Sequence, residues 1–452
     1  MFNRIEKSAD NLTYILTNQE QTLSRPFCFK IFVTIFCFCL LFGLFCLREV
    51  KQPAGLWGWH IPLVENWVAK GFWRTGGLTI FKGKADPTAQ YLYTTSSPVA
   101  MYPMYIVQKI IHAVRGKTSL RYWRMHNIAL WILSGSLIGF ITFLLLTNGF
   151  TLDARYRYLI SILSSAVYMS HPIVYLSIRL MNFELMASMI IIPLLIVSTL
   201  YISLSNNEEE KKSHKIVCVL IAVLTAVNPP MAAMYIAAII GFNAVSERTL
   251  KDFHLKEYLF PFIIVFTMFK IHLLLGEHLL DGITGTVGSS FRFRSGLDGG
   301  GNYGMKDGYW SIFLNRNSSL GVHSISWTGY FFLGAVAMAL SIFTGGRAKQ
   351  MKLYCSQVLP LTMLAVIYYF VFAQGALIHP FYYDLLIIIP FTFSIFGWGA
   401  GCLLQRAPVK GVWAYLIVAV SIILVMMHLR LFALDYPFPD RFWGTDVTLS
   451  PI

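Results

Sequence analysis

Long apolar runs separated by short charged breaks make up most of this chain, and one polar stretch interrupts that rhythm. The runs lie at roughly 29–47, 127–147, 158–177, 185–204, 215–228, 230–245, 258–275, 328–343, 356–373, 384–403 and 411–428. Several reach the roughly 18–20 residues with which a helix crosses a bilayer. Lipid offers no partner to a free backbone group, so such runs are read as helices. A membrane β-barrel would alternate apolar and polar residues, and these runs do not. The pattern predicts an all-α polytopic membrane protein of about eleven transmembrane helices, residues 1–452 forming a single transmembrane domain. The fifth and sixth runs are short and meet at Asn228-Pro229-Pro230, as two helices or one broken helix.

Charge sets the expected orientation. With the N-terminus inside, the short interior loops hold Arg155 and Arg157, then Lys211, Lys212 and Lys215, then Arg248, Lys251 and Lys256. Arg347, Lys349 and Lys352, and finally Arg406 and Lys410, complete the same pattern, which follows the positive-inside rule. The exterior then receives a first loop at 49–126, a turn around His171–Glu184, a second long loop at 276–326 and the turn Gln374–Tyr383. Roughly 25 polar residues precede the first run, so that run is expected to act as a signal anchor and not as a cleavable signal.

Segment 99–114 tests this layout. Read as a span, it would move Arg115–Arg124 inside, but it would invert every later loop. It is short and contains Gln108, Lys109 and His112, so it is expected to lie in the interface as an amphipathic helix. A second interfacial helix is expected nearby. Pro62 suits a first helical turn, Glu65 would fall in that turn near the positive dipole end, and Gly71 or Gly76 would stop the helix.

Composition agrees with the pattern: hydrophobic residues are 56% and charged residues 13% of the chain, with mean hydropathy +0.60. The formal charge of +14 is spread among apolar runs, which argues against nucleic acid as a partner and for lipid. The seven cysteines all lie in or beside apolar runs, so no disulfide framework and no CxxC metal motif is expected.

The candidate chemistry gathers in the first loop. His60 and Glu65 are placed near each other at the outer surface, and a carboxylate or imidazole there can act as a general base. Trp57, Trp59 and Trp67 fit interface anchors. Gly58-Trp59-His60, Glu65-Asn66-Trp67-Val68-Ala69-Lys70-Gly71, Tyr93-Thr94-Thr95 and Ser119-Leu120-Arg121-Tyr122-Trp123-Arg124-Met125-His126-Asn127 follow in order after the first run.

In that order they resemble the opening of GT-C glycosyltransferases, polytopic enzymes that take sugar from a polyprenyl-phosphate donor. The resemblance covers about 100 residues, and a later piece, His379-Pro380-Phe381-Tyr382-Tyr383, is similar to a His-x-x-Tyr-Tyr segment in some members. It implies an inverting sugar transfer on the periplasmic face of a bacterial inner membrane, to a surface glycan such as an O-antigen or capsule, or to a lipid. It also implies undecaprenyl-phosphate sugar as donor, with a flippase and a donor synthase as partners.

On this reading Glu65 or His60 is the base, and Arg121, Arg124, Arg179, Arg292, Arg294, His379, Tyr382 and Tyr383 face the donor phosphate. Trp59, Tyr93 and Glu184 are candidate substrate contacts. The family's usual acid is an Asp soon after the first span, and this chain has none between Cys46 and Asp86. The sequence shows no carboxylate cluster suited to Mg²⁺ or Mn²⁺, so no cofactor and no divalent metal is expected. A polymerase or ligase of lipid-linked glycans, working through 276–326, and a lipid-linked glycan transporter are the alternatives.

Overall fold

A computed structural model describes residues 25–44, 60–71, 80–82, 90–92, 101–171, 174–175, 178, 187–204, 207–245, 255–279, 388–406 and 410–433. These residues are almost entirely helical. Four helices among them are long and apolar enough to cross a membrane, with windows at Phe27–Leu44, Arg121–Gly149, Ile388–Gln405 and Gly411–Leu429. Shorter apolar helices run at Met189–Leu200, His214–Val227 and Tyr258–His272. This is consistent with a helical membrane protein. The predicted runs at 328–343 and 356–373 lie outside the described residues.

The first helix, α1 (Arg25–Leu44), is apolar apart from Arg25, Lys30 and Thr34, with Pro26 in its first turn, where a missing N–H costs nothing. After it come α2 (His60–Lys70), a short antiparallel pair β1 (Ile80–Lys82) and β2 (Gln90–Leu92), and α3 (Tyr102–Arg115). The strand pair, three residues on each side, sets Phe81 opposite Tyr91 in register within the loop. Next are α4 (Leu120–Gly149) and α5 (Ala154–Ser170). A π-turn at Ala187–Ile191 leads into α6 (Ile192–Leu204), then α7 (Asn207–Val227), α8 (Pro229–Val245) and α9 (Leu255–Leu279). A second π-turn at Phe393–Gly399 leads into α10 (Ala400–Arg406), and α11 (Lys410–Ala433) follows.

The bundle is organised around α4, whose apolar window is 83% buried, against 28% for α1 and 17% for α11. At 30 residues it is about 45 Å long. It runs antiparallel to α1: Phe27 meets Phe143, Phe32 meets Phe140 edge-on at 5.8 Å, and Phe42 meets Trp131. Between α4 and α5 the contact is polar as well as apolar. Ser134 bonds Tyr168 Oη and Thr142 bonds Ser164, each at 2.8 Å, and Ser165 Oγ donates to the Gly135 carbonyl. In apolar surroundings each such bond holds helices together by about 1 kcal/mol. The outward sides of α1 and α11 expose Phe29, Leu41, Tyr415 and Met426, broad apolar surfaces of the kind that lipid covers.

Several boundaries differ from expectation for physical reasons. Helix α4 begins at Leu120 and not at 127, because helical hydrogen bonds tolerate the polar Arg121, Arg124 and Asn127 that lower the hydropathy there. Helix α5 ends at Ser170 and not at 177. His171 takes φ −57°, ψ 131°, the extended conformation that the following Pro172 favours. The charged segment between the runs at 185–204 and 215–228 is helical from Asn207, since acids in a first turn and Lys residues after them suit a helix start. Between α7 and α8, Asn228 Oδ1 accepts the Met231 amide at 3.1 Å, so this residue caps α8 just ahead of the two prolines.

Candidate functional site

The end of the bundle where α4 begins collects the described first-loop candidates. Helix α2 starts at His60, two residues ahead of Pro62, so Glu65 sits beyond the first turn and not within it as expected. The helix stops at Gly71, whose φ of +88° is a left-handed conformation that glycine adopts without strain. Its inward face is Val64 and Trp67, both buried, and Trp67 meets Tyr105 of α3 edge-on at 6.3 Å.

The amphipathic helix expected at 99–114 is α3. Met104, Tyr105, Gln108 and Ile111 are buried, while Tyr102, Ile106, Ile110 and Val114 are exposed. Pro103 lies in its first turn, and Gly116 ends it at φ +70°. The buried Gln108 amide then grips the following turn twice. Its Nε2 donates to the Ser119 carbonyl at 3.0 Å, and its Oε1 accepts the Ser119 amide at 2.9 Å.

That turn meets α2 through a side-chain bond: Thr118 Oγ1 donates to Glu65 Oε1 at 2.6 Å. Both residues are half-buried. A carboxylate has acceptor capacity beyond one such bond, so the fixed carboxylate retains sites for another donor. Three residues after Thr118 comes Arg121, exposed, in the first turn of α4. No acid sits in that turn, and no Asp or Glu occurs between Asp86 and Asp153. The partial positive charge of a helix N-terminus therefore adds to the guanidinium, a combination suited to an anion.

Arg124, one turn deeper, is fully buried. Its Nη1 donates to the Ile178 carbonyl at 3.0 Å, and Asn127 Nδ2 donates to the same oxygen at 3.2 Å. Trp131 Nε1 donates to Met169 O and packs edge-on against Tyr175. These bonds tie the chain after α5 to α4. At the end of α5, Ser170 Oγ lies 3.2 Å from His428 Nδ1 of α11, and the His171 and His428 rings meet at 5.3 Å.

The structure thus joins Glu65 to the start of α4, which carries Arg121 and Arg124. His60 is placed as the first residue of α2, its side chain lying outside what is described. Trp59, Tyr93, Arg179, Glu184, Arg292, Arg294, His379, Tyr382 and Tyr383 also lie outside the described residues. Sequence reasoning missed Thr118, Asn127 and the anchoring role of Gln108. A lone Thr or Asn carries no signal, although a Gln at the centre of an amphipathic face marks a position that needs a polar partner. Among the described residues, no three His, Cys, Asp or Glu side chains gather as a metal site requires. No family model matches the chain, and no curated protein matches it.

Proposed function

We propose that the chain is a membrane glycosyltransferase that moves a sugar from a polyprenyl-phosphate donor to a hydroxyl acceptor at the exterior membrane surface. The observation that carries this reading is the Glu65 carboxylate, half-buried and fixed by Thr118 beside a helix start that bears Arg121. An acid held next to an anion-favouring helix end matches the two demands of the reaction, a base for the acceptor and charge stabilisation for the leaving phosphate. The first-loop resemblance to GT-C enzymes points the same way.

In the proposed step the acceptor oxygen attacks the anomeric carbon from the side opposite the phosphate. Its proton passes to Glu65, the bond from the anomeric carbon to the phosphate oxygen breaks, and the electron pair leaves on the phosphate. Arg121 and the α4 amides meet the growing negative charge. Arg124 keeps the turn at Ile178 in place. His60 is the alternative base, and the inversion follows from a single displacement.

The test is a transfer assay in proteoliposomes with a polyprenyl-phosphate sugar and a soluble acceptor, run beside a lipid-flipping assay. Transfer that Glu65→Gln or His60→Ala abolishes supports the reading. Flipping without transfer overturns it in favour of transport. Full transfer in both variants removes the assignment of the base.

A further inference from the structure

We propose that the outward face of α3 is a docking surface for the anionic headgroup layer of a phospholipid bilayer. Tyr102, Ile106, Ile110 and Val114 follow one another at four-residue steps and are 38%, 43%, 60% and 79% exposed. Each step advances the position around the helix by about 40°, so the four form one continuous apolar stripe about 120° wide. The opposite face is held in place: Met104 and Gln108 are fully buried, and Gln108 bonds both backbone groups of Ser119. The stripe is therefore presented by a helix that cannot roll to hide it.

Charge names the occupant. Lys109, Arg115 and Lys117 are exposed along and just after the stripe, and no acid lies between Asp86 and Asp153. Lys109 Nζ stands 5.5 Å from the centre of the Tyr105 ring, and the Arg115 guanidinium stands 5.6 Å from that of Tyr122. These ring contacts hold the cations at the rim and leave their charge for an anion. An apolar stripe bordered by cations matches acyl chains beneath phosphate headgroups. A second copy of this face would set its cations against identical ones, which repel. The broad apolar flanks of α1 and α11 demand lipid around the same bundle. This surface does not rest on the sugar-transfer reading.

The test uses the full chain in nanodiscs of phosphatidylcholine mixed with phosphatidylglycerol, with the photo-crosslinker p-benzoylphenylalanine replacing Ile110 or Val114. The expected result is lipid adducts at both positions, with phosphatidylglycerol enriched several-fold over its share of the bilayer. Lys109→Gln/Arg115→Gln/Lys117→Gln should return that ratio to the bulk value while lipid adducts persist. Lys117→Gln alone, outside any helix, should lower the enrichment partway and guards against misfolding of the triple variant. Adducts to protein, no lipid adducts, or phosphatidylglycerol only in its bulk proportion would overturn the proposal.

Discussion

Glu65 and Thr118 stand 53 positions apart in the chain and share one short hydrogen bond. A bond from a hydroxyl to a carboxylate is worth more than a neutral one, because one partner is charged. Thr118→Val should therefore reduce sugar transfer by about tenfold, whereas Thr118→Ser should restore most of it. The measurement is initial rate in proteoliposomes, and equal rates for the Val and Ser variants would remove Thr118 from the account. Arg124 and Asn127 make a second residue-scale test, since both donate to the Ile178 carbonyl. Arg124→Met should destabilise the protein by about 1–3 kcal/mol, and combining it with Asn127→Leu should cost less than the sum. Thermal unfolding in detergent checks both values. At this scale Glu65 stands out in the sequence as a candidate because 49–126 holds only three acids, Glu49, Glu65 and Asp86. Its partner could not, because nothing local marks a threonine 53 positions away.

Helices and turns set the next scale. Gly139 sits where α1, α4 and α5 converge, and a Cβ there would collide with Ser165 Oγ and come within 2.9 Å of Ile35 Cγ2 and the Ser161 carbonyl. Gly139→Ala should push the three helices apart and lower stability by about 1–3 kcal/mol, visible as an earlier thermal midpoint. Gly116 presents the opposite case. A Cβ meets nothing within 4 Å, so the cost of Gly116→Ala is the left-handed backbone alone, about 1 kcal/mol. That strain falls on the turn that carries Thr118, so transfer should drop as well. Apolar periodicity was enough to place α1, α8 and α11, and the amphipathic α3 was legible because its polar residues excluded a span. Helix ends were not legible where hydropathy and hydrogen bonding part company. The polar first turns of α4 and the charged start of α7 are helical despite their composition, and Pro172 stops α5 inside an apolar run.

At the scale of the whole molecule, α4 lies at the centre of a helical bundle, α1 and α11 present exposed apolar surfaces, and the first-loop platform is fastened to the turn that precedes α4. Fewer than a third of the residues in the apolar windows of these two flanking helices are buried, so the chain should remain with the membrane after alkaline extraction. Platform and bundle meet through Glu65, Thr118, Gln108 and Ser119, a link built from side chains on α2 and α3. If that link positions a catalytic base, chemistry and donor binding must respond differently to its loss. The deciding measurement is donor-lipid affinity and single-turnover transfer rate of Glu65→Gln in proteoliposomes. Affinity should stay near wild type while the transfer rate falls about 100-fold or more. A transfer rate within about threefold of wild type would contradict the account, because general-base catalysis contributes far more than that.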